Sequence, residues 1–481
     1  MSMFRPFMAR PVITFGLVVS LLLPAAARAE TLGDALESAY VNSGLLEQNR
    51  ALLRAADEDV AQAVSALRPI IDWSAGINRE FTRSSRSSGL LSSGIGGGTG
   101  TSTSTSTTAN IGITGRLLLT DFGQSDLLLD AAKETVLATR QTLISVEQGV
   151  LLTAVQAYMN VIRNREFVDL RENNLSLLRE ELRAAEDRFE VGEVTRTDVA
   201  QAESAVALAQ SGLAAAQGDL DRAIEEFREA VGRDPGNLQA PGDLPRLAAD
   251  VDGAKAVAVR RHPDILEAQR NVSAADLNMR AAQAAMRPDL NLTARLNATE
   301  DLSDPNDTQS GSVGVELSGP IYQGGRLSSA ARQAMAQRDA QRAQLRLATL
   351  QIRQDVGNGF ANLRAARASR VANREAVSAA QVAFEGTREE AQLGARTTLD
   401  VLDAEQDLLD ARANLIGANA DVVIAAYSLL AAIGELTARD LNLDVQTYDP
   451  SAYYDLVESA PVPISPQGRK LDKVLRALSR D

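Results

Sequence analysis

The strongest constraint on this 481-residue sequence is where proline is missing. A proline inside a helix removes a backbone hydrogen bond and clashes with the preceding turn. None occurs between Pro69 and Pro235, or between Pro320 and Pro450. Within those spans the pattern predicts helices over residues 123–190 and 325–392. At 1.5 Å per residue each would be roughly 100 Å long, a length that no compact domain needs. Each half also carries two shorter helical segments, over 32–68 and 197–231 and then over 253–287 and 398–436. Two short helices laid end to end match one long one, with their junction near the middle of a rod.

The two halves are copies of one plan. Gly192-Glu193-Val194-Thr195-Arg196-Thr197-Asp198-Val199 is echoed 202 positions later by Gly394-Ala395-Arg396-Thr397-Thr398-Leu399-Asp400-Val401, and the same offset carries Glu203 onto Glu405. Arg68-Pro69 reappears as Arg287-Pro288 at an offset of 219, so the first copy holds 17 extra residues in a Ser-, Thr- and Gly-rich stretch. Val199, Val206, Leu213, Leu220 and Phe227 recur every seven residues, each followed three later by alanine. Val401, Leu408, Leu415, Val422 and Leu429 repeat that frame in the second copy. A large aliphatic at one heptad position and alanine at the next makes a narrow coiled-coil seam.

Between the helices the period changes from 3.5 to 2. Ile71, Trp73, Ala75 and Ile77 alternate with Asp72, Ser74, Gly76 and Asn78. Similar alternation predicts strands near 70–82, 109–120, 289–299 and 312–321, with a long polar loop over 83–108 expected to be mobile. Each run approaches the 9–11 residues of a tilted membrane strand. Trp73, Phe122 and Tyr322 fall at the helix-proximal ends, where an interfacial aromatic belt would lie. Two soluble hairpins packed on helices are the alternative. Four strands cannot close round a lumen, and open sheet edges cannot face lipid, so a membrane reading demands several chains in one barrel.

Composition removes other classes. With no cysteine and one histidine, His262, neither a thiol nucleophile nor a Cys- or His-rich metal site can be built. A net charge of −14 argues against nucleic-acid binding. No catalytic constellation and no cofactor motif is visible. Arg5 and Arg10 precede an apolar stretch ending in Ala27-Arg28-Ala29, which reads as a signal peptide over 1–29. No later run is expected to reach the ~20 apolar residues of a membrane helix. The segmentation is then 30–232 for the first repeat, 233–250 for an equatorial linker, 251–436 for the second repeat and 437–481 for an equatorial tail.

Taken together, the duplicated helix–hairpin–helix halves, Pro320-Ile321-Tyr322-Gln323-Gly324-Gly325-Arg326 and Gly394-Ala395-Arg396-Thr397-Thr398-Leu399-Asp400-Val401-Leu402-Asp403-Ala404 resemble the TolC family of outer-membrane channel-tunnels, the outer membrane efflux proteins. The resemblance implies a mainly helical homotrimer: a membrane β-barrel with four strands per protomer, continued by a coiled-coil helical barrel across the periplasm. Its partners would be a periplasmic adaptor (membrane fusion) protein, an inner-membrane ABC exporter or drug pump, and outer-membrane lipid. The Tyr448-Asp449-Pro450 tail with Tyr453-Tyr454 looks like the branch serving type I protein secretion; a multidrug efflux duct is the alternative, and a soluble periplasmic scaffold is the reading from another class.

Thr195-x-x-Asp198 and Thr397-x-x-Asp400 read as capping boxes, which by themselves explain both aspartates. The resemblance adds a second role. Asp400 and Asp403 match acidic rings lining a constricted periplasmic entrance, and Arg396, Asp198 and Thr197 match a latch holding it shut. Ala391 stands where a tyrosine often joins that latch.

Overall fold

The computed structural model describes residues 30–86, 100–242, 244–303 and 307–478. The expected signal peptide over 1–29 lies outside them. In the first half, α1 (Leu32–Asn42) and α2 (Gly44–Ser65) lead into strands β1 (Ile70–Arg86) and β2 (Gly100–Thr120), followed by α3 (Gln124–Glu190) and α4 (Arg196–Val231). The second half repeats this as α5 (Val251–Arg261), α6 (Pro263–Ala284), β3 (Asp289–Asp301), β4 (Asp307–Ser318), α7 (Arg326–Gln392) and α8 (Thr398–Ile433). The tail forms α9 (Ser451–Val457) and α10 (Pro466–Leu478).

Both long helices run 67 residues, as the proline gaps predict. The segments 32–68 and 253–287 each differ from expectation in being two helices. Ser43 is extended and caps α2 through the Leu46 amide at 3.3 Å. His262 is extended because Pro263 follows it, which disfavours helical backbone; its Nδ1 accepts from the Asp264 amide at 3.2 Å, and burial lowers its pKa. The heptad seams are present in α4 and α8, where all ten large apolar and ten alanine positions are buried or half-buried. One expectation fails: α8 contains an 18-residue window of mean hydropathy 1.7, enough on length and composition for a membrane span. The cause is the apolar C-terminal half of α8, where Val422, Val423, Ala426, Leu429 and Leu430 are buried against neighbouring helices.

The four strands form one antiparallel sheet in the order β1-β2-β3-β4. Register sorts the faces cleanly. Trp73, Ile113 and Leu296 share one row, Ile71, Ala294 and Val313 the next, and Leu117, Leu292 and Val315 the next. The opposite face carries Asp72, Thr114, Arg295 and Ser312 in one row and Ser74, Asn297 and Ser310 in another. β4 ends at Ser318, short of the expected 321, because Pro320 cannot donate to a ladder and Gly319 passes so close to Pro288 that a Cβ would sit 2.9 Å from its Cα.

The long loop is the main correction. Arg83–Arg86 and Gly100–Thr108 belong to paired strand, in register from Asn78↔Thr108 to Arg86↔Gly100; only 87–99 lies outside the described residues. The composition looked like a coil, but alternating threonine is β-branched and suits a pleated ribbon. Ser84 and Ser102 hydroxyls meet across it at 2.9 Å.

The principal core lies at the rod's middle, where α1, α2, α3 and the ends of α4 and α8 converge round Tyr158 and Phe227. The Tyr158 hydroxyl donates to the carbonyls of Glu30 and Gln239 at 2.8 and 2.7 Å, tying the linker to α3. The tail docks on α2: the Tyr453 hydroxyl donates to Glu58 at 2.7 Å, and Arg50 lies between the rings of Tyr40 and Tyr448.

Candidate functional site

The hairpin tips are built identically. At the end of α3 the Glu193 amide reaches back to the Arg188 carbonyl at 2.9 Å, and at the end of α7 the Ala395 amide does the same to Glu390 at 2.9 Å. This wrap needs a left-handed residue, supplied by Gly192 (φ 85°) and Gly394 (φ 77°). Each next helix then starts on a capping box. Thr195 donates from its amide and hydroxyl to Asp198 at 2.8 and 2.7 Å, and Thr397 does so to Asp400 at 2.9 and 2.8 Å. The Thr195 bonds hold the Asp198 carboxyl below its usual range, and the Thr397 bonds do the same for Asp400.

The candidate residues are therefore gathered at the two tips, with different surroundings. Asp403 is exposed one turn after Asp400, and Thr197 is exposed on the first turn of α4. Within the chain, Arg396 does not pair with Asp198. Its Nε donates to Glu390 at 3.0 Å, across the Gly394 turn, and that bond is the main cause of its raised pKa. Ala391 is buried between α7 and α8 with Phe384, Val401 and Leu408. At the other end of the rod, Trp73 and Tyr322 are strongly exposed at the base of the sheet. Phe122 is exposed there too, in a left-handed backbone (φ 56°) held by its amide's bond to Thr120 Oγ1 at 3.0 Å.

The sequence did not single out the most perturbed acid near the tips. Glu405 is 4 % exposed and lines a cavity of about 510 Å³ between α3, α7 and α8. Asn174 of α3 donates to its Oε1 at 2.6 Å, while Oε2 has no partner. Burial pushes its pKa up to about 7. Beside it Arg388 of α7 pairs with the buried Glu181 of α3 at 3.0 Å. These contacts join the two hairpins to each other. Glu405 stands four residues after Val401 and three before Leu408, beside the apolar stripe of α8, a spacing that Glu203 shares in α4. Its counterpart Glu203 is exposed.

Comparison with known proteins matches this architecture. The model of the family described as "Outer membrane efflux protein" covers residues 35–233 and 256–435. The chain is 37 % identical over 435 residues to the outer membrane efflux protein BepC of Brucella suis biovar 1, covering 90 % of this chain and 91 % of that one. It is 29 % identical to the outer membrane protein TolC of Vibrio cholerae, over 87 % of this chain and 94 % of that one. In three dimensions it superposes on the CmeC outer membrane channel of Campylobacter jejuni with a TM-score of 0.73 at 16 % identity, covering 90 % of each chain. With its duplicated helix–hairpin–helix halves and matching sequence along both, this chain belongs to the outer membrane efflux protein family.

Proposed function

We propose that three copies of this chain close one barrel in the outer membrane and stack their helices into a passive duct through the periplasm. The observation that carries the reading is the apolar face of the sheet. Its rows from Leu290 and Leu317 to Ala75 and Ile111 span eight residue steps along β3, from Leu290 to Ala298, roughly 26 Å at 3.3 Å per step. That approaches the 25 Å apolar band of an outer-membrane barrel. Trp73 is 77 % exposed and Val313 78 % exposed, so none of the described residues covers this face at those positions. β1 and β4 are open edges. The helices also leave unfinished surface: α3 buries nineteen residues and α7, of equal length, only six. Leu347, Leu350, Val371 and Val382 stay exposed on α7, where a neighbouring protomer would pack. Crosslinking and the mass of the detergent-solubilised protein should report a trimer; a folded monomer in membranes would sink the barrel.

In such a trimer the tips meet on the threefold axis. Three copies of Asp400 and three of Asp403 would form a cation-attracting constriction. Like charges ~6 Å apart at an effective dielectric of ~20 repel by about 3 kcal/mol, so a closed entrance needs retaining contacts. Arg396, held by Glu390 in its own hairpin, would meet Asp198 and Thr197 of the neighbouring hairpin as that latch. Trp73, Phe122 and Tyr322 would mark the periplasmic membrane interface.

For cargo, the favoured reading is type I protein secretion with a periplasmic adaptor and an inner-membrane ABC exporter. Its support is the Tyr448-Asp449-Pro450 sequence of the tail, of which Tyr448 packs against the equatorial core. Drug efflux is the second reading, favoured by the 37 % identical relative being called an efflux protein. Deleting the gene and comparing secreted protein with drug susceptibility separates the two.

A further inference from the structure

The tail beyond the equator has a charge and a position that the duct does not use. α10 carries Arg469, Lys470, Lys473 and Arg476 against one acid, Asp472, in a chain whose net charge is −14. At 100° per residue, Arg469, Lys473 and Arg476 fall on one side of the helix, with Asp472 at its margin, and Leu471, Val474 and Leu475 on the other. Of those three apolar residues Leu471 alone is buried, against Ala61, Tyr453 and Val457. Anchored there, α10 turns its basic stripe away from the rod.

The segment leading into α10 sets its height. α9 runs along α2 towards the sheet, with Tyr453 at Glu58. Further on, the Arg68 guanidinium donates to the carbonyls of Ser459 and Ala460, the latter at 2.8 Å. Arg68 is two residues before β1, and Ile71 and Trp73 begin the exposed apolar face. The chain then turns back, Ala460 adopting φ 42°, through Pro461-Val462-Pro463-Ile464. Val462 is 52 % and Ile464 87 % exposed at this turn. An apolar finger thus lies at the foot of the membrane-facing sheet, followed within a few residues by four cations.

We infer that the 461–464 turn and α10 dock on the periplasmic leaflet of the outer membrane, Val462 and Ile464 entering the interface and the basic stripe of α10 binding anionic phospholipid headgroups. This is the charge and apolar pattern of an interfacial helix, and each surface cation near an anionic leaflet is worth about fivefold in occupancy at low salt. The inference rests on the sheet being membrane-embedded, so the test must separate the two.

The absence of cysteine makes single-site labelling clean. Full-length Ile464→Cys and, separately, Ile77→Cys would carry an environment-sensitive fluorophore in nanodiscs. These would be of phosphatidylethanolamine alone or with about one-quarter phosphatidylglycerol, with headgroup-proximal spin-labelled lipid as quencher. The label at 77 should be quenched in both. The label at 464 should be quenched strongly only with phosphatidylglycerol, less at high salt, and about fivefold less in docked-to-free ratio for each cation removed among Arg469→Gln, Lys470→Gln and Lys473→Gln. Quenching at 77 but not at 464, quenching at 464 indifferent to anionic lipid, or crosslinking of 464 to a neighbouring protomer in its place would overturn the docking. Loss of quenching at 77 would instead overturn the membrane reading of the sheet.

Discussion

Glu405 gives the sharpest test of how the two hairpins are held together. Its folded pKa of about 7, against an ordinary 4.5, comes chiefly from burial between α3, α7 and α8. Between those values the folded chain holds a proton that the opened chain has released. Stability of this packing must therefore fall as pH rises from about 4.5 to about 7, and level off above. A difference of that size corresponds to roughly 3 kcal/mol per protomer at 1.36 kcal/mol per pH unit. Glu405→Gln removes the titration and keeps an acceptor for Asn174. It also adds an amide in place of the unpartnered Oε2, a cost that does not vary with pH. Hydrogen exchange of the α8 amides near 405, expressed as the protection of the variant over that of wild type at the same pH, cancels the intrinsic pH dependence. This ratio should be flat below about pH 5 and climb towards an upper bound on the order of a hundredfold by about pH 8. A ratio flat across the whole range would show that Glu405 is solvated in the assembled protein, and one falling with pH would reverse the sign of the argument.

Three further outcomes follow from the tips and the sheet. Arg396→Ser should raise single-channel conductance in planar bilayers; adding Asp198→Ala should raise it little further, and Glu390→Gln should give part of the effect by freeing the guanidinium. Asp400→Asn with Asp403→Asn should weaken cation selectivity and block by multivalent cations without opening the tip, whereas Asp400→Ala would also lose a cap worth about 1 kcal/mol. Excising residues 83–103 and closing the ribbon with a short turn should leave trimer yield and export intact, since the apolar rows end below it; loss of assembly on native gels would make the ribbon structural.

Much of this molecule could be read from its residues before any coordinates, for physical reasons that also mark where reading stopped. Helix length was legible because proline vetoes helix interiors, and the seams because each helix needs only its own heptads to declare them. The ends of β1 and β2 were hidden because Ser, Thr and Gly are ambiguous between coil and an exposed ribbon that buries neither face. The Ser43 break was hidden because a serine can cap a helix or ride within one. The break at His262 was legible through Pro263 but lay inside a segment whose overall pattern stayed helical. Glu405 was missed because its burial depends on α8 meeting α3 as well as α7, which a single helix pattern does not contain. The Arg396–Glu390 pair was missed because residues six positions apart are brought together only by the left-handed Gly394.

The matched lengths of the helices limit how such a molecule can change size. α3 and α7 have 67 residues each, and α4 and α8 have 36 each. One residue added to α3 alone would raise its tip by about 1.5 Å and turn everything beyond it by about 100°, throwing its seam with α4 out of phase. Keeping every seam in phase takes about seven residues at once in all four helices, a step of roughly 10 Å. The span of the rod can therefore be altered only in coarse, coordinated jumps. The β1–β2 ribbon obeys no such rule. Paired residues can be added or removed at its far end without disturbing a single row beneath, so the surface shown to the outside can drift while the reach inward stays fixed.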